Sequence, residues 1–197
     1  MVKRYPRPVT RIIAGYAGSL ALAVPKSGTR PTSDRVREAI FSALEAADAI
    51  DGARVLDLYA GSGALGLESA SRGAAAVVLV ERDAAAAGIC RKNAVTVRGR
   101  APKDREPRIE VAAQAVGSWL AAAGGTRWDL AFIDPPYDLS ESDLAAVLRA
   151  LVPLLSADAT VVVERSARSP IPTLPDGLAL DRTKSYGETA VHWLSPA

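Results

Sequence analysis

Arg54-Val55-Leu56-Asp57-Leu58-Tyr59-Ala60-Gly61-Ser62-Gly63-Ala64-Leu65-Gly66 is the stretch on which the fold turns. Val55–Leu58 is a short apolar run with one carboxylate in it, and it reads as a buried strand. Three glycines follow, and an apolar helical pattern begins at Leu65. Glycines at such a place let a ligand approach the backbone closely, and the helix start offers free amide donors. Gly61, Gly63 and Gly66 fit the spacing G-x-G-x-x-G, with Ser62 between the first two. Glu81, at the end of the next predicted strand, lies 18 residues past Gly63, where a ribose-binding carboxylate belongs.

Working outward, strands alternate with helices, as in a mainly parallel, doubly wound α/β sheet. Strands are predicted at Val55–Leu58, Ala76–Val80, Ile109–Ala112, Leu130–Ile133 and Thr160–Val163. Helices are expected between them at Leu65–Arg72, Ala84–Val97, Val116–Ala123 and Leu144–Leu155. Leu178–Ser185 and Thr189–Leu194 read as a terminal hairpin turning at Tyr186-Gly187. Ahead of the alternation, Arg11–Tyr16 and Ser19–Val24 flank Ala17-Gly18 and predict a small β-hairpin. Ser33 or Asp34 then caps a helix with Val36, Ala39, Ile40, Ala43, Leu44 and Ala47 on one face, while Arg35 and Arg37 are expected to face away. The division is an N-terminal hairpin extension over 1–30 and a main domain over 31–197.

A chain of 197 residues is long enough for one well-cored domain. Its formal charge of +2 hides an asymmetry, since residues 1–37 carry eight basic side chains against Asp34 alone and the remainder therefore sums to −5. A basic front on an acidic body fits a polyanion met on one side, with Arg4, Arg7, Arg11, Arg30, Arg35 and Arg37 as candidate RNA contacts. The charged loop Gly99–Arg108 is read as solvated. One cysteine, Cys90, forbids an internal disulfide and reads as core. No apolar run approaches a membrane span, and the N-terminus lacks a signal-peptide core, so a cytoplasmic protein is expected. No His/Cys/Asp cluster has ligand spacing, and no metal is expected. His192, the single histidine, lies far from the motifs.

Asp57 bears on the ligand. Its carboxylate is expected to face the cleft beside the glycine turn, where it repels a pyrophosphate and attracts a cation. At about 4 Å and an effective dielectric near 20, a unit pair is worth roughly 4 kcal/mol before desolvation. S-adenosylmethionine carries both an ammonium and a sulfonium, so it fits better than a nicotinamide dinucleotide. A second motif, Phe132-Ile133-Asp134-Pro135-Pro136-Tyr137, ends another buried strand. The prolines stiffen the backbone, Asp134 falls at the carboxyl edge where ligands bind open sheets, and Tyr137 adds a stacking ring. This combination suits a flat, polar-edged base.

With Asp57 to Gly66, Glu81, and Asp134 to Tyr137 on successive strands, the chain resembles class I (Rossmann-like) S-adenosylmethionine-dependent methyltransferases acting on exocyclic amines. More narrowly, it resembles the bacterial 16S ribosomal RNA guanine-N2 methyltransferase D family over nearly its whole length. Arg11-Ile12-Ile13 and Arg30-Pro31-Thr32-Ser33-Asp34-Arg35-Val36-Arg37-Glu38 join the two motifs in carrying that likeness. The resemblance implies guanine-N2 methylation on small-subunit rRNA, within an assembled or assembling subunit, by a monomer. It implies cofactor contacts from Asp57, Tyr59, Gly61, Ser62, Gly63, Glu81, Arg82, Gln114 and Ala115, and acceptor chemistry at Asp134, Pro135, Pro136 and Tyr137. Gln114-Ala115 departs from the Asp-Ala common in such enzymes, although an amide oxygen still accepts a hydrogen bond from an adenine amine. Tyr59 stands where a Phe is usual.

The acid in the second motif favours guanine, whose N1–H and N2 amine are adjacent donors that match two carboxylate oxygens. Adenine, with a donor beside an acceptor, would match Asn. A DNA adenine or protein glutamine methyltransferase is the alternative, followed by a non-catalytic RNA-binding module.

Overall fold

A computed structural model describes residues 10–25 and 33–197. Arg4, Arg7 and Arg30 lie outside the described residues. In chain order the elements are β1 (Thr10–Arg11), β2 (Ala21–Leu22), α1 (Asp34–Ala46), β3 (Arg54–Leu58), α2 (Ala64–Ser71), β4 (Ala76–Val80), α3 (Ala84–Arg98), β5 (Arg108–Ala112), α4 (Val116–Ala122), β6 (Trp128–Ile133), α5 (Glu141–Leu151), β7 (Leu155–Ser166), β8 (Leu178–Tyr186) and β9 (Thr189–Pro196).

The main sheet has seven strands in the order β5-β4-β3-β6-β7-β9-β8. The first five are parallel, while β9 runs antiparallel between β7 and β8. Strand order therefore reverses between β3 and β6. This is the topological switch point, where the crevice of a doubly wound sheet opens at the carboxyl ends. Alternation along β3 separates two cores. Val55 faces α1, α2 and α3 together with Val77, Leu79, Leu130 and Phe132. Leu56 and Leu58 face α4 and α5 with Ala131, Ile133, Val161 and Val163. At the far edge Arg54 locks the β3–β6 register, donating to Asp129 from its backbone N–H at 2.9 Å and from its guanidinium at 2.9 and 3.0 Å. Those bonds hold the Asp129 carboxyl down at about 2.

Three details depart from the sequence reading. The N-terminal hairpin pairs Thr10–Arg11 with Ala21–Leu22, and Ile12 adds cross-bonds to Leu20 and Ser19. Beyond Ile12 the backbone bonds to α2 instead: Ile13 and Ala14 donate to the Glu68 carboxylate at 2.6 and 3.0 Å, and Tyr16 and Ala17 donate to Ser71 at 2.9 Å. Gly15 lies so close that a β-carbon there would sit 1.9 Å from the Ser71 carbonyl oxygen. Second, the helix expected at Leu144–Leu155 starts earlier and stops earlier. Ser140 caps it by accepting from the Asp143 N–H at 3.1 Å. Pro153 has no N–H and its ring clashes with the carbonyl four residues back, so a short 3-10 turn follows and β7 begins at Leu155.

Third, Arg37 does not face away. Its side chain is 1% exposed, donating to the Arg11 carbonyl and to Asp34, both at 2.7 Å. Arg35 is exposed, as expected.

The loop before β5 lies at the amino edge of the sheet, where Arg105 pairs with Asp51. Among the described residues no helix is long and apolar enough to cross a membrane.

Candidate active site

The loops that leave the carboxyl ends of β3, β4, β5 and β6 line one rim. Single backbone bonds extend the ladder just past the strands: Ala60 donates to Val80 at 2.9 Å and Glu81 to Ala112 at 3.0 Å. They fix the start of the glycine turn and the position of Glu81. Tyr59 takes a positive φ of 67°, unusual for a non-glycine residue, so the chain folds back at once into the turn.

The three glycines answer three different demands. Gly61, at φ 56°, has nothing within 4 Å of where a β-carbon would stand, so its face is open. Gly63, at φ 81°, caps α2, and a β-carbon there would meet the Cys90 sulfur at 2.8 Å. Gly66 lies against the sheet, where a β-carbon would approach Leu79 to 2.3 Å and Asp57 to 3.2 Å. Only Gly61 leaves room for a ligand. The other two permit the helix to sit where it does.

Asp57 is fully buried on the α1/α2/α3 side and accepts from the Gly66 N–H at 2.9 Å. Burial pushes its carboxyl up to about 7, against the downward pull of that bond, and the charges of Asp134 and Glu81 push it further. These three carboxylates thus share one electrostatic neighbourhood. Glu81 binds the turn directly, accepting from the Gly61 N–H at 2.9 Å and from the Asp83 N–H at 2.8 Å. Each carboxylate oxygen retains capacity to accept a hydroxyl. Asp83 in turn caps α3, accepting from the Ala86 N–H at 2.7 Å.

On the acceptor side, Asp134 is half-buried, Pro135 is buried, Pro136 is half-buried and the Tyr137 ring is 64% exposed. Ser62 and Tyr59 are half-buried at the turn, and Arg82, Gln114 and Ala115 are exposed on the same rim, with Ala115 at the start of α4. Arg82 lies near enough to Tyr59 to lower its phenol pKa against the upward push of burial, which dominates. Among the described arginines proposed for RNA, Arg11 and Arg35 are exposed and Arg37 is not.

An acid-rich crevice of this kind disfavours an anionic pyrophosphate. An ammonium or sulfonium fits the donor set, because it would restore the buried Asp57 charge and meet the open face of Gly61. S-adenosylmethionine carries both cations, and Asp57, Glu81 and the glycine turn are the residues that would hold it. Among the described residues, no group of three or more His, Cys, Asp or Glu has a metal-binding arrangement. Burial and nearby carboxylates push the Cys90 thiol up, as befits core.

Two side chains around the site escaped the sequence reading. Asn93 on α3 accepts from the Ala23 N–H and donates to the carbonyls of Ala23 and Ser62, each at 2.9 Å. It joins the N-terminal segment to the glycine turn. Its signal was a polar residue in the stripe that also holds Cys90 and Val97. Arg165 on β7 donates to the Leu139 carbonyl in the loop that follows Tyr137. Its signal was a cation in period-two step with Val161 and Val163.

A family profile described as conserved hypothetical protein 95 matches residues 10–195. The ribosomal RNA small subunit methyltransferase D of Escherichia coli K12 is 37% identical over 181 residues, covering 91% of this chain and 86% of that protein. A solved structure of a hypothetical protein from Thermus thermophilus superposes with a TM-score of 0.78 at 34% identity, over 95% of this chain and 99% of the other. The magnesium protoporphyrin IX methyltransferase of Synechocystis, solved with bound SAM, shares the fold at 14% identity, with a TM-score of 0.63 over 86% of this chain and 87% of that one. The architecture is thus that of a class I methyltransferase, and the chain belongs to the ribosomal RNA small subunit methyltransferase D family.

Proposed function

We propose that the protein transfers a methyl group from S-adenosylmethionine to the exocyclic N2 of a guanine in 16S rRNA of the small ribosomal subunit. The observation that supports this reading is the glycine turn at the switch point, with one open face and hydrogen bonds to Asp57 and Glu81. The neighbouring strand β6, paired with β3, ends just before Asp134. S-adenosylmethionine supplies an electrophilic methyl on a positively charged sulfur. The remaining work falls to side chains of this protein.

An exocyclic amine is a weak nucleophile because its lone pair is delocalised into the ring. It must be oriented and its hydrogens drawn toward acceptors. The Asp134 carboxylate and the Pro135 carbonyl accept from the amine, and the exposed Tyr137 ring stacks on the base. With two acceptor oxygens, Asp134 matches the paired N1–H and N2 donors of guanine. Asp57 and Glu81 keep the opposite wall negative. Reaching N2 requires splaying the nucleotide from its helix, at about a few kcal/mol. Arg11 and Arg35, with Arg4, Arg7 and Arg30 of the basic N-terminal segment, grip the RNA backbone, so activity falls steeply with salt. The substrate is the assembled or assembling subunit in the cytoplasm, met by a single copy of the chain.

The test incubates the full chain with unmodified small subunits and labelled methyl donor, then maps the label. Label at guanine N2 is expected, and label at adenine would retire the reading. Asp134→Ala is expected to abolish transfer while leaving S-adenosylhomocysteine affinity within about threefold, because the acceptor clamp and the cofactor turn are separate groups. A collapse of cofactor binding would reassign Asp134.

A further inference from the structure

Arg165 stands at the carboxyl end of β7, two residues past Val163 and therefore on the α4/α5 face of the sheet. Its side chain is 5% exposed, and the reaction described above does not use it. Its Nη2 donates to the Leu139 carbonyl at 3.1 Å and also pairs with the Glu141 carboxylate. Leu139 closes a tight turn: its N–H donates to the Pro136 carbonyl at 3.0 Å, so Tyr137 and Asp138 occupy the two middle positions. Glu141 opens α5. Arg165 therefore grips the acceptor loop where it becomes helix. The cofactor turn is close by, since Tyr59 and Leu139 both pack against the core on the α4/α5 face where Arg165 lies.

As a stabilising device this cluster is poor. Arg165 Nε, Glu141 Oε2 and His192 Nε2 are buried without a hydrogen-bond partner among the described residues. Desolvating two charges offsets most of their attraction when donors and acceptors are left over. Both Arg165 contacts, however, leave the one Nη2, whose two hydrogens are fixed in the guanidinium plane and so hold two acceptors at a set angle, as a freely rotating ammonium does not.

We propose that Arg165 is a positioning residue for methyl transfer: it fixes the Pro136–Leu139 turn, and with it the Tyr137 ring and the Asp134 carboxylate, against the cofactor turn. The inference rests on the reading of Asp134 to Tyr137 as the acceptor site. Its test uses the full chain with R165M, R165K and the double variant R165M/E141L. On small subunits, R165M lowers kcat about 100-fold, as a misplacement of about 1 Å would, while S-adenosylhomocysteine affinity and the KM for subunits stay within about threefold. R165K, which keeps the charge without the planar, fixed donors, loses about tenfold. R165M/E141L removes the carboxylate left without a partner, so it regains melting temperature but not kcat.

A kcat for R165M within about threefold of the parent overturns the proposal. So does a kcat that returns with melting temperature in the double variant. Should R165M not fold, R165K and the double variant are judged by the same two criteria. Amide exchange supplies a readout independent of substrate: the Leu139 amide, which donates to Pro136, exchanges at least about tenfold faster in R165K and in the double variant, with the glycine turn unchanged. Unchanged exchange there overturns the proposal even if the parent labels no subunit, a result that would count against the substrate reading alone.

Discussion

Asp57 shows how one side chain serves both the fold and the ligand. The sequence placed it in the cleft as an electrostatic partner, and the structure adds that it is buried and bound to the Gly66 N–H. Its carboxyl titrates at about 7 in the fold against 3.8 for an ordinary aspartate, so the folded state carries the extra proton between those values. The ligand-free protein therefore loses stability as pH rises from about 4 to about 7 and has lost the full amount above that. A cationic cofactor favours the charged form, so it binds more tightly at pH 8 than at pH 6 and releases a proton on binding near neutrality. Asp57→Asn keeps an oxygen for Gly66 but removes the charge. It should flatten the pH dependence of the melting temperature, stabilise the ligand-free protein at pH 8 by about 2 kcal/mol, and weaken the cofactor at least about tenfold. Calorimetric titration and thermal melts across pH check all three. Arg37 teaches the complementary lesson. Three and four residues before Ile40 and Phe41, it lies on the buried stripe of α1, yet its charge led to an outward reading. The acceptor that brings it inside, the Arg11 carbonyl, is 26 residues away, and such pairings leave no local trace.

At the scale of elements, the glycine turn divides into a ligand position and two packing positions, and substitutions should separate them. Gly66→Ala drives a methyl into Leu79, Val77 and the Asp57 side chain. It should cost about 3 kcal/mol of stability, read from denaturant midpoints. Gly61→Ala meets nothing, so its cost to folding should be limited to about 1 kcal/mol for a positive φ, with the larger loss appearing in cofactor affinity. The alternating elements were legible because buried parallel strands are continuous apolar runs, and glycine or proline punctuates them. Strand β7 was read too short because the segment from Leu155 to Ala159 is broken by Ser156 and Asp158. The hairpin near Ala17 is shorter than its β-prone residues predict because Ile13, Ala14, Tyr16 and Ala17 spend their N–H groups on α2 rather than on the facing strand. Periodicity reports which face is apolar, and it does not report which backbone a side chain will meet.

In the molecule as a whole, buried polar joints tie the amino-terminal segment to the sheet domain, and Glu68 and Asn93 make two of them. Glu68 is completely buried, accepts from Ile13, Ala14 and Arg72, and anchors residues 12–17 to α2. Glu68→Leu leaves those donors unsatisfied. It should lower stability by about 3 kcal/mol and make residues 10–25 the first site of limited proteolysis, while the central sheet keeps its protection. Cleavage unchanged in rate and position would show that apolar contacts of Ile12, Ala17 and Leu22 suffice to hold the segment. The second joint, Asn93, spans 70 residues of chain to reach Ala23. During synthesis, residues 10–25 leave the ribosome before α2 and α3 and meet Glu68, Ser71 and Asn93 only once those helices have followed. The anchors on α2 close only after about a third of the polypeptide has emerged, and the one on α3 only after about half. A basic segment held beside the RNA-rich surface of its own ribosome meets a competing anion there, so docking onto α2 and α3 has to outcompete that contact.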